Sequence, residues 1–388
     1  MKRNRRFEQH IAVFGESGSG KTVLLSSFYG AAQDNASIKR DGFAVIAEDP
    51  GQGHSLNSKY LGMKNSGTVP APNKLSSTSF AFKVKVNHVD ATTEKFDALR
   101  LVWHDYPGEW FQQGVSGPEE EARRVDTFRA LLQSDVAVLM IDSQRLLDHA
   151  GEEERYLRSL FTNLSNGLLR IKGELLTDGK PLVQFPRIWV LALSKCDLMP
   201  EMDVDAFRDL MIEKAADEIE KLRDVLGQLI DSAEVLSVGE DFVLLSSAKF
   251  EGNKIEVLKR VGLNLLLPLA SVFAFERHLK WAQADHIGKD LAVQLLQNAE
   301  VVAEALGVLG AFLLKVSKSS NKLIAGAGVA LLALSPKLAD MAKHLEASMA
   351  EADAKQVAKR DGLAGVLAKF REDLRLAEEE SVFRQSLR

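Results

Sequence analysis

The chain contains a single cysteine, Cys196, which excludes an internal disulfide framework and suits a reducing compartment. It also has little net charge. Its 49 Lys and Arg against 54 Asp and Glu leave −5, whereas a dedicated nucleic-acid binder would be basic, so nucleic acid is not an expected partner. The eight histidines show no metal-ligand spacing, and no G-x-S-x-G elbow occurs. No apolar segment follows the basic start Met1-Lys-Arg-Asn-Arg-Arg6. Residues 1–7 therefore read as a solvated tail and not a secretory signal, with a membrane surface or RNA as the alternative contact for their basic groups. A cytoplasmic location is expected.

What is present is enough for a large folded core. The 388 residues are 46% hydrophobic and 27% charged, and the length allows two or more domains. The most informative stretch is Gly15-Glu16-Ser17-Gly18-Ser19-Gly20-Lys21-Thr22, which fits G-x-x-x-x-G-K-[ST]. It is preceded by a short apolar strand pattern, His10 to Phe14, and followed by a helical one from Val23 to Tyr29. Strand, glycine loop and helix together make a phosphate cradle, because backbone N–H groups and the helix N-terminus converge on the anion. Gly15, Ser17, Gly18, Ser19, Gly20, Lys21, Thr22 and Val23 are the expected lining. Lys21 would reach the β- and γ-phosphates, and the Thr22 hydroxyl would ligate Mg²⁺.

Residues 8–268 alternate apolar strand-like runs with helical patterns, as a mostly parallel sheet between helices requires. The spacing predicts strands at 11–14, 42–46, 80–86, 99–104, 136–141, 188–193 and 242–245. Helices are expected over 118–133, 146–176 (with Gly151, Gly167 and Gly173 as breaks) and 204–229. Residues 34–98 read as a long irregular insertion. Asp49-Pro-Gly-Gln-Gly53 and Gly67-Thr-Val-Pro-Ala-Pro-Asn73 look like turns within it. The run from Leu99 to His104 ends in Asp105-Tyr-Pro-Gly108, which places Asp105 at the carboxyl end of a strand, the ligand edge of an open α/β sheet. Asp105 would hold Mg²⁺ through a water, and the Gly108 N–H would bond the γ-phosphate. The later strands end in Ser194-Lys195-Cys196-Asp197 and Ser246-Ser247-Ala248-Lys249.

Taken in order, these stretches resemble the motif set of a P-loop GTPase of the translation-factor-related (TRAFAC) class. Gly15 to Thr22 is similar to its phosphate loop, and Asp105-Tyr-Pro-Gly108 to the D-x-x-G of switch II. Ser194-Lys-Cys-Asp197 is similar to the base-reading N-K-x-D in its S/T-K-x-D form, and Ser247-Ala248-Lys249 to the S-A-K loop over guanine. Asp-Tyr-Pro-Gly-Glu-Trp further resembles the bacterial YcjX-like and double-GTPase groups. The resemblance implies GTP and GDP as ligands with Mg²⁺. It assigns Asp197 to the N1–H and 2-amino donors of guanine and the Lys195 stem to the base face. Ser194 stands where Asn is commoner and would tie its loop to the phosphate loop over a shorter reach. Glu109 follows Gly108 where many GTPases carry a water-orienting Gln, and two readings stay open for it: water positioning, or a residue favoured at a helix N-terminus. Thr68 and Thr78 are both candidates for switch I.

After about Ala270 the strand patterns stop, and 269–388 reads as an all-α module. Within it, Val301 to Leu314 and Leu323 to Leu334 are apolar stretches of about 12 to 14 residues, short of the ~20 a membrane span needs. A buried hairpin at 301–334, a dimer interface, and a hairpin dipping into the inner membrane are the readings this composition allows. The function implied is a GTP-controlled switch with slow Mg²⁺-dependent hydrolysis to GDP and phosphate, acting through an unidentified partner or activator. A GTP-binding scaffold with little turnover and a membrane effector gated by the nucleotide are the alternatives.

Overall fold

The computed structural model describes residues 8–68, 70, 78–86, 96–105, 117–132, 134–176, 179–182, 185–231, 233–251, 254–283 and 354–386. Two central strands, β5 (Val136–Asp142) and β6 (Ile188–Ser194), are buried along their whole length. Such strands must be apolar on both faces, which explains the unbroken runs Val-Ala-Val-Leu-Met-Ile and Ile-Trp-Val-Leu-Ala-Leu. Beside β5 lies β1 (Glu8–Phe14), and beyond it β4 (Phe96–Asp105), β3 (Thr78–Val86) and β2 (Phe43–Ala47). On the other side of β6 come β7 (Ser237–Leu245) and a two-residue strand, Phe383–Arg384, making eight strands. The ladders from β4 through β1, β5 and β6 to β7 are parallel, while β2, β3 and Phe383–Arg384 pair antiparallel. All seven strands expected from the pattern form, several with longer ends.

The pleat sorts β1 between two cores. Ile11 and Val13 join one cluster, with Leu24, Phe28, Leu266 and Phe370, and Ala12 and Phe14 join the other, with Phe128, Phe161 and Phe207. The first face carries α1 (Lys21–Ala31). The second carries α4 (Pro118–Leu131), α6 (Glu153–Arg170) and α8 (Val204–Gly227), with short helices α5 (Ser143–Asp148) and α7 (Lys172–Leu175) between. Gly151 separates α5 from α6 as expected. Gly167 and Gly173 lie inside helices, and the break falls at Ile171.

The expected irregular insertion is corrected in part. It holds α2 (Asn35–Asp41) and α3 (Pro50–Ser66) as well as β2 and β3. Asp49-Pro-Gly-Gln-Gly53 is no turn. It opens α3, where Asp49 caps the helix by accepting from Gly51 N and Gln52 N at 2.7 and 3.1 Å, with Pro50 in the first turn. The helix survives its glycines because it is held by packing. A Cβ on Gly30 of α1 would lie 2.1 Å from the Tyr60 ring of α3, so only glycine permits this approach.

Strands do not stop at Ala270 either. A helical run from Leu263 leads into α9 (Ala274–Gln283), and α10 (Ala354–Glu379) lays Leu363, Leu367, Phe370 and Leu374 into the same core as β1. The chain then turns at Ser381, and Phe383 pairs with Val243 of β7. Residues 301–334 lie outside the described residues. No helix among the described residues is long and apolar enough to cross a membrane.

Under this tail sits a buried ion pair. Arg277 Nη2 donates to Asp241 Oδ1 at 2.5 Å, with both side chains at or below 1% exposure. Asp241 also accepts from Ser386 N and Ser237 Oγ at 2.8 and 3.0 Å. Arg277→Met strands a buried carboxylate, so the expected loss is about 3–5 kcal/mol, seen as a lower midpoint in urea unfolding. Adding Asp241→Asn to that variant is expected to recover part of the loss. A recovery of nothing would contradict the pairing.

A nucleotide-sized cavity at the carboxyl edge of the sheet

In a parallel sheet the carboxyl ends of the strands share one edge, and β1 sits where the strand order reverses, between β4 and β5. The loop leaving β1 is therefore at the crevice. Gly18 and Gly20 take φ of 85° and 93°, the left-handed region that glycine enters without strain, and α1 begins at the next residue, Lys21. The Lys21 ammonium is folded over this loop and donates to the carbonyls of Gly15 and Glu16 at 2.7 and 2.9 Å. Thr22 sits in the first turn of α1, half-buried.

A cavity of about 370 Å³ opens from the loop across the edge. Gly18, Ser19, Gly20 and Val23 line it together with the apolar Met140, Leu24 and Leu245 and with Lys195, Asp197, Ser247 and Ala248. The structure thus brings the phosphate-loop residues and the two later motifs to one pocket, although 171 or more residues separate them in sequence, from Val23 to Ser194. Ser19 lines the cavity, but its Oγ is buried beside Gly15 with no protein hydrogen-bond partner. Gly15 and Ser17 lie in the loop itself. Lys249 opens the short strand β8 (Lys249–Glu251), which pairs with β9 (Lys254–Glu256) beyond the pocket.

The tetrad is fixed from both sides. Ser194 Oγ donates to the Ile141 carbonyl of β5 at 3.1 Å, so it ties the tetrad to the neighbouring strand and not to the phosphate loop. That corrects the expected contact: a hydroxyl on so short a stem reaches only the adjacent backbone. Lys195 takes φ 54°, a left-handed conformation that costs a non-glycine residue roughly 1–2 kcal/mol. Its ammonium is 2.7 Å from Asp142 Oδ2. Asp197 Oδ1 lies 2.7 Å from Ser246 Oγ, which is also 2.6 Å from the Ala248 carbonyl, and the single hydroxyl proton serves one acceptor at a time. Burial and the neighbouring Asp197 push the Cys196 thiol up to about 12, which keeps it protonated and inert inside the loop. Ser246 and Asp142 are the residues sequence reasoning missed here. Ser246 was visible as the first of the small polar residues closing its strand, but only its contact shows that it orients Asp197.

Asp105 ends β4, next to β1 in the ladder, and pairs in register with Thr78 at the start of β3. Thr68 instead follows the end of α3, with its N–H on the Gly62 carbonyl. Gly108 and Glu109 lie outside the described residues. One residue before Asp105, His104 Nε2 is 3.1 Å from His10 Nδ1, and His104 Nδ1 is 3.0 Å from Ser79 Oγ. Glu8 Oε1 accepts from His10 Nε2 at 2.8 Å, and Asp135 Oδ2 accepts from His10 N at 2.6 Å.

Residues 9–223, more than half of the chain, match the family model of Double-GTPase 2. The chain belongs to the Double-GTPase 2 family. The match runs from β1 to α8 and stops short of β7, so Ser246 and Asp241 lie beyond it. This agrees with the double-GTPase resemblance of the motifs. A comparison with curated proteins gave no match. Among solved structures the chain is similar to Methanosarcina barkeri Roco2 RocCORdC bound to GDP (14% identity, 62% of this chain and 43% of that one, TM-score 0.22). It is also similar to the S. cerevisiae Ski7 GTPase-like domain bound to GDP and inorganic phosphate (14%, 62% and 42%, TM-score 0.27). A third is the putative nucleolar GTP-binding protein 1 of Plasmodium falciparum (16%, 75% and 95%, TM-score 0.30). The chain spans less than half the length of the first two. At these scores none of the three likenesses carries weight for the reading of the pocket.

Two outcomes are expected of a Double-GTPase 2 pocket built this way. Ser246→Ala removes a donor to Asp197, and the loss of a hydrogen bond to a charged group, about 1.5–3 kcal/mol, should weaken GDP binding in calorimetry by about ten-fold or more. His104 sets a pH response. Burial, reinforced by His10, lowers His104 from its ordinary 6.5 to about 4, so the stability tied to its neutral form is present above pH 6.5 and lost as pH falls to about 4. Burial raises Asp135 from 3.8 to about 6, and its contribution runs the other way, present below pH 3.8 and lost as pH rises through about 6. A His104→Gln variant should therefore show a shallower fall of unfolding free energy between pH 6.5 and 4 than the wild type.

Proposed function

We propose that this chain binds GTP in the cavity and hydrolyses it slowly, with Mg²⁺, to GDP and phosphate, the nucleotide state acting as a switch. The observation that carries the reading is that one pocket is lined by both the phosphate loop and the Ser194–Asp197 tetrad. Backbone N–H groups of 15–20, that of Ser19 among them, would take the phosphates. Lys21, already held over the loop, would shift its ammonium from two carbonyls to the β- and γ-phosphate oxygens, where it offsets charge developing in transfer. The paired donors of guanine would meet Asp197, whose orientation Ser246 fixes, and adenine offers no such pair. Thr22 and Asp105 supply a hydroxyl and a carboxylate, the hard oxygen donors that Mg²⁺ takes, and the bound ion would neutralise phosphate charge. Thr78, opposite Asp105 in the ladder, is favoured over Thr68 as the switch I hydroxyl. Gly108 N–H and Glu109 are proposed as the γ-phosphate contact and the water-orienting side chain.

The division into a nucleotide-binding unit at 8–268 and a helical unit at 269–388 is part of the same proposal. The tail would read the switch through its packing on the sheet or pass it to a protein partner. The deciding measurement is phosphate release with Mg²⁺, GTP against ATP, for wild type and Asp197→Asn. GTP-selective release that Asp197→Asn reduces at least 100-fold in kcat/KM is expected, because a buried polar site left unpaired discriminates strongly. Equal turnover of ATP would overturn the guanine assignment, and tight GTP binding without release would overturn the hydrolase.

A further inference from the structure

Asp142 does not line the cavity, yet it joins three of the elements around it. It ends β5, in register with Ser194 at the end of β6. Its backbone N–H donates to the buried Tyr156 hydroxyl at 3.1 Å, and its Oδ1 caps α5 by accepting from Gln144 N at 3.0 Å. Three fixed attachments leave Oδ2 in one place, and there it holds the Lys195 ammonium at 2.7 Å. The carboxylate is 4% exposed and the lysine side chain 30%.

We propose that Asp142 is a positioning residue for guanine nucleotide, which anchors the Lys195 ammonium so that the lysine's methylene stem forms a fixed wall of the base pocket. This rests on the guanine-nucleotide reading of the cavity. A lysine side chain is among the costliest to order, and a free one would sweep through solvent at the pocket mouth. With its charged end tied to the sheet, the apolar stem lies along the wall where a base face would pack. The ordering is then done before ligand arrives, and a preorganised wall raises affinity chiefly by slowing departure. The left-handed backbone of Lys195 is part of the same device, since it aims the side chain back at β5 and away from solvent.

The test is the dissociation rate of a fluorescent GDP analogue from the full chain, for wild type, Asp142→Asn, Asp142→Ser, Lys195→Met and the Asp142→Asn/Lys195→Met double variant. Asn and Ser both keep an oxygen that caps α5, so a role confined to the helix cap would leave the rate at the wild-type value. The expected result is dissociation about 10- to 100-fold faster in both Asp142 variants, the size of a hydrogen bond to a charged group. Preference for GDP over ADP should persist, because Asp197 is untouched. Asp142→Asn should add nothing in the Lys195→Met background. Unchanged rates, or effects of the two substitutions that multiply in the double variant, would overturn the role. Failure of the wild type to bind the GDP analogue at all would overturn the reading beneath it and the role together.

Discussion

The constraint on which everything else depends is the parallel run of five strands. Because β4, β1, β5, β6 and β7 point the same way, their carboxyl ends share one edge, and every loop that bears on the pocket leaves from it. The glycine loop leaves β1, Asp105 closes β4, Asp142 closes β5, the tetrad begins at the end of β6, and Ser246 follows β7. The glycine loop after β1 and the tetrad after β6 are short, so each inherits its place from the strand it leaves. The pocket is in this sense a property of the sheet, and burial of β5 and β6 on both faces is what keeps the edge in register.

That dependence explains how much was legible in the amino-acid sequence. Doubly buried strands leave unbroken apolar runs, and those runs fix where the motif residues fall, so the strands and part of the pocket lining, such as Gly18, Val23, Lys195 and Asp197, could be read directly. What escaped reading depends on contact between distant elements. Asp49-Pro-Gly-Gln-Gly has the composition of a turn, and only the packing of Tyr60 against Gly30 makes a helix of residues 50–66 despite their glycines. Ser194 stands where a longer amide is common, which suggested a reach to the phosphate loop, but the strand beside it offers the Ile141 carbonyl at closer range. Asp142 gave no signal at all, since an acid at the end of an apolar strand is as often a helix cap, and here it is a cap and an anchor together.

The tail shows the same limit at larger scale. Helical periodicity is plain through residues 354–379, but which surface it covers is not encoded in the period. Phe43 meets Phe370 edge-on at 5.5 Å, and Phe273 meets Phe383 at 5.4 Å, so α10 and the last strand close the face of the sheet that carries α1. The Arg277–Asp241 pair adds direction to this closure. A buried ion pair is a poor source of net stability, but it penalises any arrangement that separates its members. With Ser386 N also on Asp241, that penalty applies to the end of the chain as well as to α9.

These two observations meet at β7. The strand carries Asp241 near its start and leads into Ser246 at its end, while Phe383 pairs along its outer edge. Ser381 accepts from Val204 N, at the start of the helix that comes after the tetrad. The chain's final residues therefore touch both supports of Asp197: the strand that delivers Ser246, and the helix into which the tetrad runs. On the side toward β5 the tetrad is held by Ser194 on the Ile141 carbonyl and by Lys195 on Asp142. A displacement of the tail would thus act on the support of Asp197. On the proposed reading, base recognition by Asp197 and base packing by Lys195 rest on different supports, and among the described residues the tail bears on the support of Asp197.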